Sequence, residues 1–333
     1  VAKFELIKKL IKAHVEEDNY TFRQAAIQIA AKEASIGHAN IAKEIREIVE
    51  RIEPSMAQHT GRIPPRVLAS NRNSKVEELL HATFPRERLS DMVLAEKTQN
   101  SIEQIIIEWQ NFQLIESHGL KCLSKILLIG PPGCGKSMCA RVIAGELGMP
   151  LFIVKLESVI SRFLGETSVH LRNIFDAMTT TQGVYLFDEF DSIGTTRSDQ
   201  RDIGEVRRIL SNFLLYMEEL IGNSLLIAAT NYEHALDTAL FRRFDDVIYF
   251  PMPDIEKSRL LLKLKLRNFP TNSIDLASAA ANTEGMSYAE ITKATVEAIK
   301  TTILKKQTKL SHHTLIEAIQ HRKLMRPILE NRK

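Results

Sequence analysis

The sequence is short of cysteine, of long apolar runs and of net charge. Only three of its 333 residues are cysteines, Cys122, Cys134 and Cys139, and no two of them form a CxxC pair. Three thiols cannot build an even disulfide framework, so the composition points to a reducing, cytoplasmic compartment. No apolar run approaches the ~20 residues that span a bilayer. The segment Val1-Ala2-Lys3-Phe4-Glu5 is amphipathic rather than signal-like, so no membrane association is expected. A net charge of +3 is too small to announce a nucleic-acid partner. There is no internal repeat and no low-complexity segment. What the sequence does have is a 44% hydrophobic fraction with 26% charged residues, the balance of a globular chain with a sizeable core. Its length allows two domains, with room for a third. Charge is unevenly spread. Between residues 300 and 333, nine lysines and arginines face only Glu317 and Glu330, a local +7 that leaves −4 for the rest.

Residues 1–53 show three amphipathic stripes: Phe4, Ile7, Leu10, Ile11 and Val15, then Phe22, Ala26 and Ile29, then Ile41, Ile45, Ile48 and Ile52. This spacing predicts an N-terminal three-helix bundle suited to docking a partner or substrate. Residues 54–88, with Pro54, Gly61, Pro64, Pro65 and a polar 70–74 cluster, read as a linker, with a short helix near 76–81. A long helix is expected at about 95–117. Five apolar runs follow, at 125–129, 151–155, 184–188, 225–230 and 247–250, each separated by helical patterns. That alternation predicts an α/β domain at 89–252, a parallel five-stranded sheet covered on both faces. Beyond Pro253 the strand patterns cease. Helical stripes at about 255–268, 274–281, 287–305 and 311–322 predict an all-helical C-terminal part, 253–333, that includes the basic tail.

Chemistry concentrates at two strand ends. Gly130-Pro131-Pro132-Gly133-Cys134-Gly135-Lys136-Ser137 fits the phosphate-binding pattern GxxxxGK[ST] and stands between an expected strand and an expected helix. Its glycines let backbone N–H groups converge on phosphate oxygens, and the helix adds its positive N-terminal end. Lys136 would neutralise the β- and γ-phosphates, and Ser137 would ligate Mg²⁺. Val184-Tyr185-Leu186-Phe187-Asp188-Glu189 is an apolar strand ending in two carboxylates, which a parallel sheet would turn toward the same crevice. Asp188 suits the Mg²⁺ shell, and Glu189 can orient the attacking water. Asp191 either joins that group or caps a helix.

With these motifs in that order, followed by Ala228-Ala229-Thr230-Asn231 and Ala239-Leu240-Phe241-Arg242-Arg243-Phe244-Asp245, the chain resembles AAA-family ATPases over about residues 89–322. The resemblance implies a P-loop αβα nucleotide domain, a helical lid, and a ring, usually of six subunits, with ATP/ADP and Mg²⁺ at each subunit interface. It implies nucleotide contacts from Pro131, Pro132, Gly133, Cys134 and Gly135, continued by Lys136, Ser137 and Met138 on the helix. Asn231 matches the first sensor of the γ-phosphate. Arg242 and Arg243 match the paired arginine fingers of the katanin and spastin branch, which reach into a neighbour's site; the plainer alternative is a surface pair bridging Asp245 and Asp246. Asp91 and Val93, in Leu89-Ser90-Asp91-Met92-Val93, match the segment framing the adenine. Ala289, in Gly285-Met286-Ser287-Tyr288-Ala289-Glu290-Ile291, matches the lid contact and stands where the wider superfamily often has an arginine. Two departures stand out. Cys134 replaces a threonine and brings a thiol open to oxidation, and Tyr288 replaces a small residue near the base.

Arg162, Phe163 and Leu164 match the first pore loop, where an aromatic grips extended polypeptide with little sequence preference; for Phe163 the alternative is a core position. The absence of an HExxH motif excludes a self-contained zinc protease of this family. The chain is also similar to compact bacterial AAA ATPases often encoded beside a subtilisin-like peptidase, which implies a peptidase or phage-defence effector acting in trans. The leading expectation is a homohexameric, ATP-driven remodeller of polypeptide. The alternatives are a loader-like ATPase on DNA, suggested by the basic tail, and a nucleotide-gated regulatory scaffold.

Overall fold

The computed structural model describes residues 79–156, 167–193, 200–220, 224–231 and 241–330, together with Ala26 and Ile29. The chain divides into two compact units, Val1–Arg62 and Ile63–Lys333. In the first unit Ala26 and Ile29 are helical. The rest of the expected leader bundle, and the expected linker up to residue 78, lie outside the described residues.

The second unit is built on a six-stranded sheet. Its strands are β1 (Leu80–Thr83), β2 (Lys125–Ile129), β3 (Leu151–Lys155), β4 (Val184–Asp188), β5 (Leu225–Thr230) and β6 (Asp246–Tyr249), in the order β1-β3-β4-β5-β2-β6. The five strands from β3 to β6 along this order are parallel, as the sequence predicts. The sixth, β1, is a correction: it pairs antiparallel with β3, Leu80 opposite Val154, inside the expected linker. A four-residue segment without a β-branched run carries almost no local signal, and its strand character comes from a partner some seventy residues away.

Period-two alternation distributes the sheet between two cores. On β2, β4 and β5, Leu127, Ile129, Tyr185, Phe187, Leu226 and Ala228 face one side. There they meet α4 (Thr167–Thr180) and α5 (Gln200–Glu219) through Phe175 and Phe213, whose rings pack edge-on at 5.4 Å. Ile126, Leu128, Val184, Leu186, Leu225 and Ile227 face the other side. That layer is α1 (Glu96–Gln110), α2 (Phe112–Ser117) and α3 (Lys136–Leu147). Burial on both faces explains why these strands read as unbroken apolar runs. The helix expected at 95–117 is divided at Asn111, whose side-chain amide donates to the Ile107 carbonyl at 2.8 Å and competes with the helical ladder.

The C-terminal part has its own core, formed by α6 (Ile255–Leu266), α7 (Leu276–Ala281), α8 (Tyr288–Leu304) and α9 (His312–Glu330). It is not entirely helical: β7 (Thr271–Asn272) and β8 (Leu310–Ser311) pair in parallel. Just before the first of these, the Pro270 carbonyl accepts from the N–H of the fully buried Leu310 at 2.9 Å.

The sheet is pinned at the end opposite the strand tips by one carboxylate. Asp245 Oδ2 accepts from the N–H groups of Ser124 at 2.8 Å and Lys125 at 2.9 Å, and from the Ser124 hydroxyl at 3.1 Å. It therefore ties the start of β6 to the start of β2. Asp245→Ala should lower stability by about 1–2 kcal/mol, read as an earlier urea midpoint, and an unchanged midpoint would refute this tie.

Candidate functional site

The site lies where β2, β4 and β5, adjacent in the sheet, reach their C-terminal ends. Ile129 pairs with Thr230, and Phe187 pairs with Ala228. The loop after β2, Asp188 at the end of β4 and Asn231 after β5 therefore emerge side by side. Crevices beyond the carboxyl ends of parallel strands are where α/β sheets bind ligands.

The loop's glycines are there for space. Gly130 has φ +149°, and a Cβ on it would lie 2.2 Å from the Phe250 carbonyl, where the chain leaves β6. Gly133 has φ +77°, and a Cβ there would meet Ser287 Oγ at 2.8 Å. After Gly135 the chain enters α3 with no side-chain cap. Its first-turn N–H groups are thus left for an anionic ligand.

Lys136 opens α3 and is buried. Its ammonium donates to the carbonyls of Gly130 at 2.6 Å and Pro131 at 2.9 Å, and to Asn231 Oδ1 at 2.8 Å. Three donors meet three oxygens, which satisfies an ammonium completely. Burial lowers its pKa below the usual lysine value, and the nearby Asp188 and Asp191 carboxylates oppose that shift.

Beside it, Ser137 Oγ donates to Asp188 Oδ2 at 2.7 Å. Asp188 Oδ1 accepts from the Glu189 N–H at 3.0 Å. Glu189 takes a left-handed φ of +51°, a conformation that costs a non-glycine residue roughly 1 kcal/mol, and its exposed side chain lines the cleft. Asp191, left open by the sequence, is a positioning group: its Oδ1 accepts from the Thr230 hydroxyl and the Asn231 N–H, both at 3.2 Å. It thereby holds Asn231 against Lys136.

A cleft of about 530 Å³ separates this loop from the lid. Asp91, Val93, Pro132, Gly133, Cys134 and Gly135 line it, as do Met138 and Ala289. Pro131 contributes its carbonyl to Lys136 instead. The lid is bonded to the loop, since the Ala289 N–H donates to the Gly133 carbonyl at 3.0 Å. Ser287 caps α8 reciprocally with Glu290 and so fixes that helix end over the loop. Asp91 is held in turn, its carboxylate accepting from the Arg88 N–H at 3.0 Å and facing Arg267 at 3.4 Å.

Sequence reasoning missed several cleft residues: Met92, Leu261, Thr292 and two lysines, Lys265 and Lys293. A helical repeat would have found the lysines, because each stands four residues after a cleft residue, Leu261 or Ala289. Tyr288 packs against both the sheet core and the lid core. Burial, with Asp254 and Cys134 nearby, pushes its phenol up to about 12, so it stays neutral. Arg242 and Arg243 stand outside this chain's own cleft, in the turn before β6. Arg242 is exposed, and Arg243 forms an ion pair with Glu218. Asp245, offered as a bridging partner for that pair, spends its carboxylate on β2. Arg162, Phe163 and Leu164 lie outside the described residues.

The donor set fits a triphosphate with a magnesium ion. Two hard oxygen donors from the chain, Ser137 and Asp188, are what Mg²⁺ usually takes when phosphate and water supply the remainder.

Residues 126–252, from β2 to the end of the sheet, match the model of the ATPase family associated with various cellular activities (AAA). The chain is 34% identical over 324 residues to an uncharacterized AAA family ATPase, y4kL, of Sinorhizobium fredii, covering 96% of this chain and 95% of that protein. It is 32% identical over 247 residues to a proteasome-activating nucleotidase of Pyrococcus horikoshii, covering 71% of this chain and 62% of that protein. For the proteasome-activating nucleotidase of Pyrococcus furiosus the identity is 31% over 291 residues, 81% of this chain and 74% of that protein.

The oxidation expected at Cys134 does not follow from its surroundings. It is 2% exposed, its sulfur contacts Met252 Sδ at 3.6 Å, and burial raises its pKa. Burial likewise raises Cys122 and Cys139. A raised pKa means less thiolate at neutral pH, and the thiolate is the reactive form. Native protein at pH 7.5 should leave all three thiols largely unmodified by a colorimetric disulfide reagent and release all three on denaturation. Rapid native reaction at Cys134 would contradict this.

Proposed function

The chain belongs to the AAA family of ATPases, and on that premise we propose that it spends ATP hydrolysis in this cleft on remodelling or unfolding polypeptide as a subunit of a ring. The observation that carries the chemical part is the 2.7 Å contact of Ser137 with Asp188, next to the buried Lys136. Residues 51 positions apart in sequence converge there as a cation-ready oxygen pair beside a positive charge. In this reading Lys136 neutralises the phosphate tail, and Ser137 and Asp188 would hold Mg²⁺, which when bound would offset charge on the phosphate oxygens. Glu189 orients and deprotonates the attacking water, and Asn231 positions that water near the terminal phosphate. Asp91, Val93 and Ala289 frame the base.

Arg242 and Arg243 serve a neighbour's cleft, where a guanidinium would stabilise the transferring phosphoryl group. Their position outside their own cleft supports that role. The remodelling part draws support from the relatives named proteasome-activating nucleotidase, which favour a polypeptide substrate over nucleic acid. Phe163, flanked by Arg162 and Leu164, grips that substrate in the pore, residues 1–53 dock it or a partner, and a peptidase or effector acts downstream in trans.

Glu189→Gln should bind ATP normally but lose turnover by at least ~100-fold, measured as phosphate release. The parent with ATP should unfold a fluorescent protein carrying an unstructured tail, and the variant should not. Normal hydrolysis by the variant would remove Glu189 from the chemistry, and a hydrolysing parent that never unfolds the reporter would contradict the remodelling role.

A further inference from the structure

Lys293 lines the cleft, yet no part of the phosphate loop, strand-end carboxylates or base segment accounts for it. It sits on α8, one turn beyond Ala289. Ala289 is fixed over the phosphate loop by its bond to the Gly133 carbonyl, which sets the register of the whole helix against the cleft. Lys293 thus starts about 6 Å further along the axis, four residues at about 1.5 Å each. Side chains on a helix lean toward its N-terminus, so the lysine stem points back along the Ala289 face, toward the loop. Ala289 itself, a single methyl, leaves room there.

The acids within ion-pair reach of Lys293 along its own helix are engaged elsewhere. Glu290, three residues before it, accepts from the Ser287 N–H at 2.8 Å and lies 3.0 Å from the Ser287 hydroxyl. Glu297, four residues after it, faces His321 at 3.2 Å. Across the cleft, Asp91 faces Arg267. Lys293 has no ion-pair partner among the described residues. An exposed lysine that lines the cleft and has no ion-pair partner among the described residues is a cation available to an anionic ligand.

We infer that Lys293 is a second, lid-borne phosphate contact: its ammonium meets the phosphate tail of the nucleotide opposite Lys136, so that lid position depends on how many phosphates are present. The inference rests on the nucleotide reading of the cleft. The two lysines divide the work. Lys136 is prepaid, buried and fully bonded before any ligand arrives, whereas Lys293 is solvated until an anion draws it in. The energy released on that contact acts on α8 and, through the Ala289–Gly133 bond, on the loop itself.

The test is calorimetric titration of AMP, ADP and the non-hydrolysable analogue AMP-PNP, each with Mg²⁺, into the full chain, Lys293→Met and Lys293→Arg. Lys293→Met should lose affinity in proportion to phosphate count, less than about twofold for AMP and about tenfold for AMP-PNP. Lys293→Arg should recover most of that loss. Unchanged AMP-PNP affinity in Lys293→Met would make Lys293 a solvated surface charge and overturn the inference alone. An equal loss for all three ligands would assign it to the nucleoside and overturn it as well. A parent chain that binds none of the three overturns the nucleotide reading and this contact with it.

Discussion

A positive charge held almost out of water at the mouth of the sheet is the constraint on which the rest of the structure depends. Burying an ammonium costs several kcal/mol unless every proton finds an oxygen. Lys136 meets that condition with two loop carbonyls and one side-chain amide. Each partner in turn needs a reason to be where it is. The Gly130 carbonyl is available because the loop curls through a φ that only glycine tolerates against Phe250. Asn231 is available because Asp191 holds its N–H and the end of β5.

The sheet's connectivity follows the same logic. Three adjacent strand tips must stay level within an ångström or so for Lys136, Asp188 and Asn231 to share one site. The two-sided core supplies that rigidity, since β2, β4 and β5 have no wet face on which to shift. At the far end the Asp245 carboxylate fixes β6 to β2, which steadies Phe250 beneath Gly130. The lid packs separately. It has a separate core and meets the loop through the capped end of α8, while Arg267 faces Asp91 and Tyr288 packs against both cores.

Legibility in the sequence tracked how local each feature is. The five parallel strands announced themselves because burial on both faces writes continuous apolar runs. The phosphate loop and the Asp188-Glu189 pair were readable because their chemistry is compressed into a few adjacent residues. β1 and the β7–β8 pair were invisible, since segments of four and two residues owe their extension to distant partners. The roles of Asp191 and Asp245 were equally hidden: an aspartate near a strand end looks like a cap or a surface ion until its acceptor geometry is known. Lys265 and Lys293 could have been found by extending the helical repeat from Leu261 and Ala289, but exposed lysines on amphipathic helices ordinarily read as solvated surface. The oxidation expected at Cys134 failed because exposure is a tertiary property.

In the proposed function the three oxygens around Lys136 hold its ammonium in place for phosphate. Calorimetric titration of Mg·ADP into the parent chain and into Lys136→Met tests it most directly. The parent should bind, with a loss of at least ~100-fold in the variant, because among the described residues Lys136 is the only buried cation for a phosphate to meet. Equal affinity in the two proteins would contradict it, and would mean that the lysine closes the loop without ever meeting the ligand.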